Sequence, residues 1–191
     1  MNDYTNLIIE GIQTGDQIGG PTELAKILTD SLSVNKRFDE QDLRQRYLNW
    51  WKSDAFDTGP TYANVFNKID KGMDPKLAVK KVHEEFGFNT AGCGPAHRAT
   101  PLAGMLAIPT NQLITLAKLE AKITHFDDDA GNGSAIVIML CRYLLEGNSF
   151  EDAENLVSNN KDLKESWTKL QNAKLRPDGY VYNVIFSALH F

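Results

Sequence analysis

Apolar residues recur every three or four positions along most of the chain, which is the spacing of one face of an α-helix. The segments with this spacing are 4–12, 24–32, 43–51, 62–69, 150–157 and 181–189. The sequence shows none of the apolar–polar alternation that is typical of half-buried strands. The pattern therefore predicts an all-α fold, a compact bundle of roughly eight to ten helices joined by short loops.

Two helix starts are marked by capping residues. Asp74 precedes Pro75, and Ser149 precedes an acidic first turn; both orders are typical of helix N-termini. The most apolar stretch, residues 135–145, is about half as long as the roughly 20 residues of a membrane-spanning helix. Because Arg142 also interrupts it, we interpret this stretch as a buried core helix and expect no membrane partner.

Composition narrows the class of protein further. The chain has 191 residues, of which 42% are hydrophobic and 24% charged, the range of an ordinary globular domain, and we predict one domain over 1–191. The formal net charge of -5 argues against a nucleic-acid partner, since that affinity comes from clustered Lys and Arg. Residues 1–4 lack the basic and apolar character of a secretory signal, so we expect a cytoplasmic protein.

Four loops interrupt the helical pattern and concentrate glycine, acidic residues and histidine: 14–23, 53–61, 89–101 and 124–133. The first contains GDQIGGPTE at 15–23. Its glycines would let the backbone approach a ligand closely, and Glu23 falls in the first turn of the next helix, where the helix dipole favours an acid. A tight corner between two helices explains the same residues equally well.

The second loop, SDAFDTGPT at 53–61, places Asp57 and Thr58 directly before a helix that begins near Pro60. Oxygen ligands in such a turn suit a hard cation. Capping of the following helix by Asp57 or Thr58 is the simpler interpretation and is favoured when the turn is taken alone.

The third loop, NTAGCGPAHRATPL at 89–102, is dense in glycine. Exposed backbone amides of this kind bind anionic or sugar ligands. An alternative makes Cys93 a nucleophile with His97 as its base. Closeness in sequence is weak support for that pair, because the fold and not the spacing brings a thiol and an imidazole together.

The fourth loop, THFDDDAGNG at 124–133, resembles a calcium loop only superficially. Counting from Asp127, the positions that require glycine and glutamate are Asn132 and Ile138. We therefore favour a capped loop with a solvated run of acidic residues.

The order and spacing of these loops resemble one family, the ADP-ribosylglycohydrolases. Residues 15–23 are similar to its Gly-Asp-x-x-Gly-x-Pro-x-Glu segment, and 56–59 resemble its Phe-Asp-Ile-Gly metal-binding turn. Residues 92–102 are similar to Gly-Asn-Gly-x-x-Met-Arg-x-x-Pro-Leu. The resemblance continues in a Thr-His pair at 124–125 before a long apolar helix that ends in Leu-x-Gly, and in Gly-Tyr-Val at 179–181.

This resemblance implies an all-α bundle that holds two magnesium ions and hydrolytically removes ADP-ribose from a modified side chain or related conjugate. It implies Glu23 and Asp57 as catalytic acids, and Asp57 with Thr58 as metal ligands. It also implies a set of residues that line the ADP-ribose cleft: Asp16, Gly92, Gly94 and His125.

The sequence departs from the family pattern at several points. Thr58 stands where many members have a second aspartate, and Cys93 and His97 replace asparagine and methionine. The family's later Gly-x-Asp-x-Asp-Thr segment and its last helices do not follow 179–181, so we expect an incomplete metal centre. A natural short form, a fragment, or a partner chain that supplies the ligands would each explain this.

Two further expectations follow from these departures. A relative that binds ADP-ribose or a nucleotide without catalysis, or has a purely structural role, is the alternative to a hydrolase. A bundle without its closing helices would expose apolar surface around Val184, Ala188 and Phe191, and we expect a homodimer to cover it.

Overall fold

A computed structural model describes residues 4–17 and 19–190 of the chain. Within these ranges the chain forms twelve α-helices, one 3-10 turn at Thr110–Gln112 and an isolated antiparallel bridge between Gly92 and Tyr180. The all-α prediction is confirmed, but the predicted number of helices was too low because short helices follow closely on one another near residue 100.

The helices, in chain order, are α1 (Thr5–Asp16), α2 (Gly20–Asn35), α3 (Glu40–Ser53), α4 (Pro60–Asp70), α5 (Pro75–Glu85), α6 (Gly94–Arg98), α7 (Pro101–Gly104), α8 (Leu113–Ala121), α9 (Asp128–Leu145), α10 (Phe150–Ser158), α11 (Lys164–Gln171) and α12 (Val181–His190).

Both predicted capping residues start helices as expected. The Asp74 carboxylate accepts a hydrogen bond from the Leu77 amide at 3.1 Å, and the Ser149 hydroxyl accepts one from the Asp152 amide at 3.1 Å. These side chains satisfy amide groups that have no partner inside the helix. The sequence therefore marks the starts of α5 and α10 correctly.

Helix α9 is the centre of the bundle and is buried on most of its circumference. This confirms the core helix predicted at 135–145, and no described helix has the length and apolar character needed to cross a membrane. Two glycines in its first turns allow close packing. A Cβ on Gly133 would lie 2.3 Å from a γ-methyl group of Val181 in α12, and one on Gly131 would lie 3.2 Å from the Lys118 Cα in α8.

Arg142 interrupts the apolar run of α9 because its guanidinium binds the end of α7. The side chain is buried and donates hydrogen bonds at 2.8–3.4 Å to four backbone carbonyl groups, those of Leu102, Ala103, Met105 and Ile108. Carbonyl groups at a helix end have no partner inside the helix. This arginine therefore joins α7 to the central helix.

The apolar surface near the C-terminal end of α12 fits the expected dimer contact only in part. Val184 is half-buried and Ala188 is exposed, whereas Phe191 lies outside the described residues. The homodimer stays a prediction.

We predict that Gly133→Ala lowers the free energy of unfolding by about 1–3 kcal/mol, because the new methyl group overlaps Val181. Gly11→Ala is the matched control, since its Cβ would meet no atom within 4 Å. It should raise helix stability by about 0.5–1 kcal/mol. Urea unfolding of both variants measures the difference, and a Gly133→Ala protein as stable as the wild type would contradict the packing argument.

Candidate active site

Residues from all four glycine-rich and acidic loops meet at one cleft of about 390 Å³. This volume lies within the usual range of small-molecule sites. The side chains and backbone that line it are Asp16, Pro21, Asp57, Thr58, Gly59, Pro60, Thr61, Tyr62, Gly92, Cys93, Gly94, His97, His125 and Gly179. Of the residues predicted for the site, Glu23 alone does not line this cleft.

One edge of the cleft is built around the N-terminus of α2. One carboxylate oxygen of Asp16 accepts hydrogen bonds from the Thr22 amide at 3.0 Å and the Thr22 hydroxyl at 2.7 Å. The Gly20 amide donates to a carboxylate oxygen of Asp57 at 3.4 Å. Two acids that lie outside the helix therefore act as acceptors for its free amide groups, and both face the cleft.

The adjacent glycines are required by this arrangement. A Cβ on Gly19 would lie 2.3 Å from a carboxylate oxygen of Asp16, and one on Gly20 would lie 2.3 Å from the backbone oxygen of Asp57. The 15–23 segment is thus a tight corner between helices, as one of the two interpretations held. It also lines the cleft, because the same corner holds Asp16 and Asp57 in place. Ile18, within this segment, lies outside the described residues.

The turn at 56–59 does not cap α4, so the favoured interpretation of that loop was wrong. Gly59 is the capping residue, and it has no side-chain hydrogen bond to offer. Asp57 adopts a left-handed backbone conformation with a φ of 47°, and Gly59 follows at 70°. With these two positive φ angles, the Asp57 side chain bonds to the N-terminus of α2 and not to that of α4, and Thr58 lies on the cleft wall.

Glu23 lies one turn into α2, in the position that the sequence predicted. Its carboxylate pairs with the Lys26 ammonium group at 2.8 Å on the half-buried side of the helix. The structure therefore brings Asp16, Asp57 and Thr58 together at the cleft but does not bring Glu23 to its wall.

His125 forms another part of the cleft wall and is buried, with 4% of its surface exposed. Burial and the nearby Arg98 guanidinium hold the pKa of its imidazole well below the usual value, so the ring is neutral at pH 7. The ring packs against the glycines of the third loop. A Cβ on Gly92 would lie 3.1 Å from Nε2, and one on Gly94 would lie 3.5 Å from Cε1.

The buried ion pair of Arg98 and Glu120 lies behind this wall. Arg98 Nε donates to Glu120 Oε1 at 2.6 Å, and the Tyr47 hydroxyl donates to the same oxygen at 3.0 Å. The guanidinium also lies 5.5 Å from the ring centre of Tyr47 and 5.9 Å from that of Tyr62. Two buried charges are tolerated here because each is paired and hydrogen-bonded.

The wall near Gly92 is completed by the segment before α12. The Cys93 amide donates to the Gly179 carbonyl at 3.0 Å, and the Val181 amide donates to the Ala91 carbonyl at 3.0 Å. The hydroxyl groups of Tyr180 and Tyr182 donate to the Asp129 carboxylate, each at 3.2 Å.

The acidic turn at 127–129 is only partly the solvated run that we favoured. Asp127 caps α9 through the Asp129 amide at 2.9 Å, and the Asp128 side chain is 84% exposed. Asp129, however, is 18% exposed and also pairs with Lys169 at 2.8 Å. It is a structural anchor for α11 and α12, because residues 40 or more positions later in the chain converge on it.

Geometry does not support Cys93 as a nucleophile. The contact recorded between it and His97 is a backbone one, from the His97 amide to the Cys93 carbonyl at 3.2 Å, and the described residues include no bond from the Cys93 thiol to the imidazole. Burial raises the pKa of the Cys93 thiol, which disfavours the reactive thiolate.

His97 instead belongs to the cleft. Desolvation lowers the pKa of its imidazole, while the carboxylates of Asp16 and Asp57 oppose that shift. From the sequence, His97 is a candidate base for Cys93 and a departure from the family motif in the third loop. Its position beside two carboxylates was missed, although the substitution of histidine for methionine in the third motif was the available signal.

The described side chains do not by themselves form the two-magnesium centre that the resemblance implies. Among residues 4–17 and 19–190, no three His, Cys, Asp or Glu side chains converge closely enough to hold a metal ion. Asp57 and Thr58 supply oxygen atoms at the cleft wall, but one carboxylate oxygen of Asp57 also accepts from the Gly20 amide.

Sequence comparison agrees with the motifs that meet in this cleft. The profile of the ADP-ribosylglycohydrolase family matches residues 4–191, nearly the whole chain. The chain belongs to the ADP-ribosylglycohydrolase family. It is also similar to ADP-ribosylhydrolase ARH3 of Gallus gallus, with 23% identity over 158 residues, which is 80% of this chain and 42% of the relative. The chain thus spans less than half the length of that curated relative, and the resemblance inferred from the sequence is confirmed.

The Arg98–Glu120 pair yields a stability prediction. Arg98→Met leaves the Glu120 carboxylate buried without its counter-charge, and we expect a loss of about 3–5 kcal/mol in the free energy of unfolding. The double variant Arg98→Met/Glu120→Leu removes both charges and should recover at least about half of that loss. Urea unfolding measures the wild type and both variants, and a double variant no more stable than Arg98→Met would contradict the pairing.

His125 yields a prediction on pH. Because the pKa of His125 is lower in the folded protein than in the unfolded chain, the unfolded chain binds a proton here first as the pH falls below about 6.5. The free energy of unfolding therefore decreases with acidification, by at most about 1.4 kcal/mol per pH unit from this group. We expect His125→Gln to lose less stability than the wild type between pH 7 and pH 5. If urea unfolding shows that the wild type and His125→Gln lose the same stability between the two pH values, His125 does not contribute to the pH dependence.

Proposed function

We propose that this protein is a hydrolase that removes ADP-ribose from a modified side chain or conjugate. Family membership supports a hydrolase of this kind, and the observation that carries the proposal is the convergence of the four loops on one cleft. The cleft is lined by glycine backbone that lets a ligand approach closely, by the buried neutral imidazole of His125, and by two carboxylates and a second imidazole.

Hydrolysis of a glycosidic bond needs a group that protonates the leaving atom and a carboxylate that activates water or stabilises the positive charge on the sugar. Asp57 is the carboxylate that fits the second task, because it lines the cleft on an exposed turn. His97 lines the same cleft, and the carboxylates of Asp16 and Asp57 favour its protonated form against the effect of desolvation. We assign the first task to it. Glu23 pairs with Lys26 beside the cleft, so we assign it to the support of α2 and no longer to the chemistry.

Magnesium belongs to the proposal only through Asp57 and Thr58, the two oxygen-bearing side chains that the expected metal turn contributes to the cleft. A stable site for this ion uses several oxygen ligands in octahedral geometry. Because the described residues bring together no group of three His, Cys, Asp or Glu side chains that could hold a metal ion, we assign no step of the reaction to a metal. The cytoplasmic location also stays a prediction.

A second candidate function is binding of ADP-ribose without turnover. It is favoured by the two cleft carboxylates, since both Asp16 and Asp57 accept hydrogen bonds from the N-terminus of α2. The oxygens that accept these bonds have fewer lone pairs left for a water molecule or a metal ion. In this case the cleft would recognise the ligand and the chemistry would be absent.

We expect Asp57→Asn to reduce release of ADP-ribose by about 100-fold or more, because the amide cannot act as a base, while it still accepts the Gly20 hydrogen bond. The assay follows free ADP-ribose from peptides modified on arginine or serine, in Mg²⁺ and in a chelator, beside calorimetric titration of ADP-ribose. Asp54→Asn, in the same exposed loop, is the control and should keep the wild-type rate.

Each outcome separates the candidates. Wild-type release that persists in Asp57→Asn would remove Asp57 from the chemistry. Tight binding of ADP-ribose with no release from any linkage would support the binding function and contradict the hydrolase. Release that requires Mg²⁺ in the wild type would give the metal a role that the described side chains alone do not provide.

A further inference from the structure

His125 is the end of a hydrogen-bond chain that begins at the buried ion pair. The Arg98 guanidinium donates to the Thr124 hydroxyl oxygen at 2.8 Å, and that hydroxyl lies 2.7 Å from Nδ1 of His125. All three side chains are buried, and Thr124 is fully so. This series of hydrogen bonds therefore links the Arg98 guanidinium to the His125 ring in the cleft wall.

The chemistry of the donors fixes the direction of this chain. A guanidinium can only donate, so the Thr124 oxygen accepts from Arg98 and has one proton left to give. Nδ1 of His125 is the other partner recorded for the Thr124 hydroxyl among the described residues. If Nδ1 carried the ring proton, it would point at an oxygen whose own proton had no acceptor, and an unpaired buried donor costs free energy.

Nε2 then carries the ring proton, and it faces the cleft. The described residues include no hydrogen-bond partner for Nε2. The missing side chains of Gly92 and Gly94 keep this atom uncovered, since a Cβ on Gly92 would lie 3.1 Å from it. The lowered pKa of the ring is consistent with a neutral imidazole that has a single proton to place.

We propose that Thr124 is a positioning residue that holds His125 in its Nε2–H form, so that the cleft presents a fixed hydrogen-bond donor to an oxygen of the ADP-ribosyl group. The inference rests on the proposed function for the identity of the ligand. The tautomer itself is a property of the free protein and is measured without it. Thr124 needs no contact with the ligand for this role.

The test is a long-range ¹H–¹⁵N spectrum of the imidazole rings of the ligand-free protein, in which the two neutral tautomers are distinguishable. The chain has four histidines, and the His125 signals are assigned by their loss in His125→Gln. We expect the Nε2–H form in the wild type and in Thr124→Ser, which keeps the hydroxyl. Thr124→Val has the same shape without the hydroxyl and removes the donor to Nδ1. Its Nδ1 resonance should therefore move to the position of a ring nitrogen that accepts no hydrogen bond, or the Nδ1–H form should become populated.

Titration of ADP-ribose supplies the second readout. We expect Thr124→Val to weaken binding about fivefold and Thr124→Ser less than about twofold, as for one hydrogen bond of ordinary strength. An Nδ1–H form in the wild type would overturn the proposal whether or not any variant folds. So would an Nδ1 resonance and a tautomer that are both unchanged in a folded Thr124→Val protein. If the Nε2–H form is found but the wild type binds no ADP-ribose, the proposed function fails and the assignment of the ligand fails with it, while the role of Thr124 in setting the tautomer stands.

Discussion

The buried pair of Arg98 and Glu120 is the interaction on which the cleft depends. A buried charge is tolerated only when its partner and its hydrogen bonds are in place, so this pair fixes more than the distance between α6 and α8. Tyr47 from α3 donates to the carboxylate, and Tyr62 from α4 lies beside the guanidinium while its hydroxyl donates to the Tyr47 carbonyl at 3.1 Å. Four helices are therefore held in one geometry by directional contacts, which apolar packing alone does not specify. The cleft wall at His125 rests on that geometry.

The other side of the cleft is organised by a different constraint, the free amide groups at the N-terminus of α2. These groups need acceptors, and the helix supplies none of its own. Asp16 at the end of α1 and Asp57 in the turn before α4 provide them. The corner between α1 and α2 and the turn at 56–59 thereby meet through backbone and carboxylate atoms. The same two carboxylates therefore accept hydrogen bonds from α2 and line the cleft in which the proposed hydrolysis would take place. Because their structural role alone explains their position, the cleft is compatible with hydrolysis and with binding alone.

Local patterns predict much of this molecule, and long-range pairing accounts for what they miss. The three-four spacing of apolar residues gave the all-α class, and the order of motifs singled out Asp16, Asp57 and His125, all of which reach the cleft. Glu120 stands in a helix with an ordinary mixture of apolar and charged residues, and its burial depends on Arg98, 22 positions earlier. Asp129 was taken for a solvated acid because Tyr180 lies 51 positions away. A sequence segment of a few residues contains no information about partners that lie this far away in the chain.

His125 and Asp57, which both line the cleft, differ in burial. This difference determines how a substitution at each position would affect folding and the proposed function. His125 is buried, and it is held by Thr124 and Arg98 within the core network. Asp57 is on an exposed turn whose backbone conformation depends on two residues with positive φ. A substitution at Asp57 that keeps its hydrogen bond from the Gly20 amide can abolish the proposed chemistry with little effect on folding, whereas loss of the buried wall would threaten the bundle itself. Under the proposed function, ligand recognition at His125 and turnover at Asp57 are therefore separable, and the requirements of folding protect the first of the two.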